Sequence, residues 1–147
     1  MPSRPALERA RAAAGAAALL LAAACGEVKL PTEPGLDGGG EAFTFARVQD
    51  EVFTPNCAKA GCHVAAVGAG GMVLEAGQSY SQIVDRRALG SPLDRVEPGD
   101  PERSYLLRKV RGDADITGAR MPFDGPPFLS QEQIDGIAGW IRAGAPQ

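Results

Sequence analysis

One short segment constrains this chain more than any other. Pro55-Asn56-Cys57-Ala58-Lys59-Ala60-Gly61-Cys62-His63 holds two thiols and sets the second directly beside the chain's single histidine. Two sulfurs and an imidazole in this order are what covalent haem attachment demands: each Cys sulfur adds to one vinyl group of the porphyrin, and the adjoining His can reach the iron. The usual spacing is C-x-x-C-H; here it is C-x4-C-H, so the intervening loop must bulge outward. Ala58, Ala60 and Gly61 are small enough to permit that. Three other uses of these residues stay open: a Cys57–Cys62 disulfide, a zinc site, or a buried histidine beside inert thiols. Zinc needs four ligands, and no second His exists to supply one. Haem alone uses all three side chains.

Iron held in this way normally takes a sixth ligand. With one histidine, a bis-His centre is excluded, and a thioether is the soft donor that favours ferrous iron. Met1 leaves with the leader described below, so Met72 and Met121 remain. Met121 lies in Gly118-Ala119-Arg120-Met121-Pro122-Phe123-Asp124-Gly125-Pro126-Pro127, a loop stiffened by three prolines, which limits the entropy lost in presenting a side chain. It is the expected distal ligand. Met72, in Gly70-Gly71-Met72-Val73-Leu74, is expected to pack as an apolar plug beside the ring.

The first 24 residues read as an export address. Arg4, Arg9 and Arg11 precede an uncharged stretch over residues 12–24, followed by Cys25. Thirteen helical residues span about 20 Å, too short for a hydrocarbon layer roughly 30 Å thick. Leu21-Ala22-Ala23-Ala24-Cys25 resembles a bacterial lipoprotein box, with the Leu one place further from the Cys than in the commonest pattern. The resemblance implies that Cys25 is lipidated after residues 1–24 are removed. Gly26 in place of Asp implies the outer membrane, so a periplasmic or cell-surface, lipid-anchored protein is expected. Residues 25–42, rich in Gly and Pro, form a flexible tether. Loss of the leader takes three of 15 basic and one of 18 acidic residues, leaving a net charge of −5. That balance gives no support to nucleic-acid binding.

The folded domain is expected over residues 43–147. Gly and Pro make 31 of the chain's 147 residues, so regular elements should be short. The clearest helix follows Ser130, which with Gln133 forms a capping box; Leu129 and Ile134 have staple spacing, Ile134, Ile137, Ala138 and Ile141 form a stripe, and Gly144 ends it. A second helix is expected over 101–111, with Asp100 as its cap and Gly112 as its stop. Weaker patterns mark 44–54 and 79–86 as helices. No alternating strand pattern of any length is present. The fold class is therefore all-α: about four short helices with long ordered loops around one haem.

The segments Val52-Phe53-Thr54-Pro55-Asn56-Cys57, Gly61-Cys62-His63, Pro98-Gly99-Asp100-Pro101-Glu102-Arg103-Ser104-Tyr105-Leu106-Leu107, Arg120-Met121-Pro122 and Trp140-Ile141-Arg142-Ala143-Gly144-Ala145 resemble those of single-haem c-type cytochromes, close to the planctomycete-type cytochrome c family. The resemblance covers nearly the whole of 43–147. It implies a helical cytochrome c fold whose first and last helices cross, haem c anchored on Cys57 and Cys62, and iron held by His63 and Met121. Electron transfer with redox partner proteins is the expected function, and catalysis is not. Two alternatives stand beside it: a haem enzyme or ligand sensor with an open sixth site, and a cofactor-free lipoprotein interaction module with a Cys57–Cys62 disulfide.

Overall fold

The computed structural model describes residues 43–147. The export address, Cys25 and the whole tether lie outside the described residues. Within them the fold is all-α, with helices joined by long loops and three isolated β-bridges but no strand.

The first helical stretch begins at Thr44, whose hydroxyl accepts from the Arg47 N–H at 3.2 Å. It comprises α1 (Phe45–Arg47), a π-helical stretch Val48–Phe53 and α2 (Thr54–Asn56), without a break. The wider winding shows where the Thr54 N–H donates to the Gln49 carbonyl, five residues back. Pro55 has no N–H to offer the preceding turn. The Glu51 carbonyl is served from elsewhere, by Gln133 Nε2 at 2.9 Å, and Val52 O accepts from Asn56 Nδ2 at 3.0 Å. The expanded turn puts adjacent residues on the inner face, so Gln49 and Phe53 are buried along with Val48 and Val52.

Buried Gln49 ties this stretch to the loop ahead of α3 (Ser79–Ile83). Its Nε2 donates to the Leu74 carbonyl at 3.0 Å and to Thr54 Oγ1 at 3.1 Å, and its Oε1 accepts from the buried Ser79 hydroxyl at 2.5 Å. Both ends of the amide are thus satisfied in the interior. Substitution Gln49→Ala leaves Ser79 and Leu74 without this partner and is expected to lower unfolding free energy by about 1–3 kcal/mol in urea titrations.

α3 is shorter than the expected 79–86. After Ile83 the chain turns extended and pairs with the segment near Val96: Asp85 N–H donates to Val96 O at 3.1 Å, and Arg95 N–H to Arg86 O at 2.7 Å. The expected helix over 101–111 is divided as well. Asp100 caps only the 3-10 turn Pro101–Arg103, accepting from Arg103 N–H at 3.1 Å. Fully buried Ser104 then takes φ −93° and ψ 110°, its hydroxyl accepting from Glu97 N–H and donating to Asp100 O. The first N–H groups of α4 (Tyr105–Arg111) donate to the Asp94 and Arg95 carbonyls at 2.9 Å each. Docking onto the 94–97 segment thus overrides the local continuity of the helix.

α5 (Gln131–Arg142) follows the local signals closely. Ser130 Oγ accepts from Gln133 N–H at 3.2 Å while Gln133 Oε1 accepts from Ser130 N–H at 3.0 Å, and Leu129 and Ile134 are both buried. At its end Gly144 takes φ +94°; Gly144 N–H donates to Ile141 O and Ala145 N–H to Trp140 O, a Schellman closure. α5 packs against the π-helical stretch and α4. Trp140 is fully buried, 5.5 Å from Phe45 between ring centroids, and its indole N–H donates to Pro146 O at 2.8 Å. A mid-helix glycine is retained at Gly136 because the Phe43 ring lies where a Cβ would come within 2.5 Å.

Candidate functional site

α2 ends at Asn56 and delivers Cys57 at the start of the thiol-bearing loop. The Phe53 carbonyl accepts from both Cys57 N–H and Ala58 N–H, at 2.9 and 2.8 Å, which fixes the exit from the helix. Lys59-Ala60-Gly61-Cys62 then forms a tight turn, closed by Cys62 N–H donating to Lys59 O at 2.9 Å. Gly61 sits at φ +83°, a conformation that strains residues with a Cβ. His63 N–H returns to Cys57 O at 3.1 Å and closes the whole loop on itself. The long spacing between the thiols is therefore absorbed in a turn, and both thiols, which are free, stay at the base of the loop.

Cys57, Cys62, His63, Met72 and Met121 all line one cavity of about 470 Å³, within the usual range for small-molecule and cofactor sites. Its apolar wall comes from three separate parts of the chain: Val52 and Phe53 from the π-helical stretch, Leu74 from a later loop, Leu106 and Val110 from α4. The structure thus brings Cys57, Cys62, His63 and Met121 to one cavity, with Met72 beside them. Cys25 lies outside the described residues.

The two candidate thioethers enter from different supports. Met121 N–H donates to the Lys109 carbonyl at 2.9 Å, which ties the Met121 loop to the last turn of α4. Arg120 Nε donates to Val110 O at 2.8 Å and reinforces that tie. Met72 belongs instead to the loop that returns to the histidine, where Leu74 N–H donates to His63 O at 2.8 Å. Gly70 lies close by, with a Cβ position 3.8 Å from His63 Cε1.

The electrostatics suit neutral donors. His63 is held below the ordinary histidine range, chiefly by burial, with the nearby backbone of Ala69 and Met72 opposing and the charges of Arg95 and Lys109 adding to it. Its Nδ1 is buried and makes no hydrogen bond. Burial pushes the Cys57 thiol up to about 12, so it stays protonated at neutral pH. Among the described residues no group of three or more His, Cys, Asp or Glu side chains could hold a bare metal ion. The donors ring a cavity instead of forming a compact chelate.

Two cations in the cavity wall were not among the sequence candidates. Arg95 donates to Gln82 O at 2.6 Å and to Gly71 O at 3.1 Å, and partial burial lowers its pKa. Lys109 donates to the Thr117 and Ala119 carbonyls at 3.0 and 2.5 Å. Its neighbours Arg108 and Arg111 turn away to pair with Asp115 and Glu102. A charged residue every few positions along 86–111 hides which cation faces inward. The Tyr105 hydroxyl, also in the wall, accepts from Thr117 N–H at 2.8 Å.

Comparison of the chain with protein-family models, with curated proteins and with solved structures gives no match.

Proposed function

We propose that residues 43–147 form a mono-haem c-type cytochrome domain that transfers electrons, exported and tethered to a membrane through lipidated Cys25. The observation that carries this reading is that one largely apolar cavity gathers Cys57, Cys62, the chain's only histidine and a thioether. Cys57 and Cys62 would hold the haem by thioether links, and His63 and Met121 would ligate its iron. When bound, the group supplies reversible one-electron chemistry at iron.

The chain's own residues do the rest. His63, kept below its ordinary pKa, offers a neutral imidazole at physiological pH, the form a metal binds. An unpartnered buried nitrogen calls for an explanation; an imidazole that serves a ligand provides one. Cys57 as a buried, protonated thiol resists oxidation to a disulfide, because the thiolate is the reactive form. Val52, Phe53, Leu106 and Val110 exclude water and favour the less charged ferrous state. Arg95 and Lys109 place positive charge in the wall, where an acidic substituent of the ring would be neutralised. With His63 and Met121 both engaged, no position is left for a substrate, which favours a carrier over an enzyme.

Electrophoresis under denaturing conditions tests this. The chain, matured in a host that attaches haem through thioethers, should retain haem-dependent peroxidase staining in its band. A band without stain overturns the proposal and leaves the interaction-module reading.

A further inference from the structure

The loop bearing the thiols and the loop bearing Met121 meet at one polar contact. Lys59 Nζ and Asp124 Oδ2 lie 2.5 Å apart, 65 residues apart in sequence. Among the described residues this is the only hydrogen bond or ion pair between residues 57–63 and residues 118–127. The Met121 loop is otherwise held from the α4 side, by Met121 N–H and Arg120 Nε on α4 carbonyls and by Lys109 Nζ on the Ala119 carbonyl. Downstream, residues 122–128 make no hydrogen bond outside their own segment except through Asp124. Lys59 opens the tight turn that the longer thiol spacing makes room for, and Asp124 and Cys57 both line the cavity.

We propose that Lys59 and Asp124 are a positioning pair: their ion pair clasps the Met121 loop onto the thiol-bearing loop and sets how firmly Met121 competes for the sixth iron position. This rests on the haem reading. Both side chains are well exposed, at 38% and 58%, so the clasp works at the solvent boundary and salt must weaken it.

The experiment uses the full chain matured with haem. Lys59→Ala, Asp124→Asn and the charge-swapped Lys59→Asp/Asp124→Lys are compared by carbon monoxide titration of the ferrous protein and by amide hydrogen exchange across 118–127. Each single variant is expected to raise carbon monoxide affinity about two- to fivefold at low salt, the range for an exposed pair, and to speed exchange in that segment. The swap should return both readouts to the parent values. At roughly 1 M salt, where screening acts within about 3 Å, parent and single variants should converge, which loss of packing alone would not produce. Haem-loaded singles that match the parent in both readouts overturn the clasp and leave the haem reading standing. A parent chain without haem overturns the haem reading; hydrogen exchange, which needs no haem, then decides whether the loop is clasped.

Discussion

Replacing Cys57 and Cys62 together by serine is expected to remove covalent haem completely, from one group per chain to none, with no stain left in a denatured band. The reason is chemical: a serine hydroxyl does not form the thioether, whereas His63 remains and can still ligate. The double variant should therefore bind haem that acidified solvent extracts, while the parent keeps it. Stability should fall with it. A largely apolar cavity of about 470 Å³ is of the size that cofactors fill, so a bound haem would help to hold Val52, Leu74, Leu106 and Val110 in place. Thermal unfolding followed at the single Trp140 should show a lower and broader transition for the haem-free protein. A haem-free form as cooperative and as stable as the loaded one would contradict the view that the group is part of the core.

The second large effect is expected at Met121. Met121→Ala takes away the thioether that, on the proposed reading, favours ferrous iron, so the reduction potential should fall, on the order of 0.1 V within the roughly 0.8 V range that axial ligands span. The ferrous variant should bind carbon monoxide readily where the parent resists it. Met72→Leu should change neither property materially. Met72 stands in the loop that folds back on His63, whereas Met121 hangs from the Lys109 carbonyl of α4, so the two are not interchangeable donors. Potentiometry on both variants checks this; equal falls in potential, or a fall only for Met72→Leu, would reassign the ligand.

Local signals in the sequence were enough where local physics decides. Ser130 and Gln133 satisfy each other's backbone, and Gly144 takes the left-handed turn, as short-range signals along the chain indicate. The candidate donors were legible for a similar reason: a lone histidine beside a cysteine is a chemical pattern, and the cavity collects them. The division of 101–111 was not legible, because Ser104 is held by Glu97 and Asp100 while α4 starts on the Asp94 and Arg95 carbonyls. Propensity along the helix contains no trace of those partners. The π-helical winding at Val48–Phe53 was hidden likewise, and with it the inward turn of Gln49 and Phe53. Arg95 entered the cavity wall through bonds to Gln82 and Gly71, a tertiary placement that spacing along the chain does not encode.

Mass analysis of the intact chain from a haem-attaching host, read with its absorption spectrum before and after reduction, tests the central claim most directly. The account predicts a mass increased by one haem, tryptic peptides 48–59 and 60–86 held together by one haem through thioethers at Cys57 and Cys62, and a sharp visible band that grows on reduction. A colourless chain whose thiols are unmodified, or joined to each other, would contradict it.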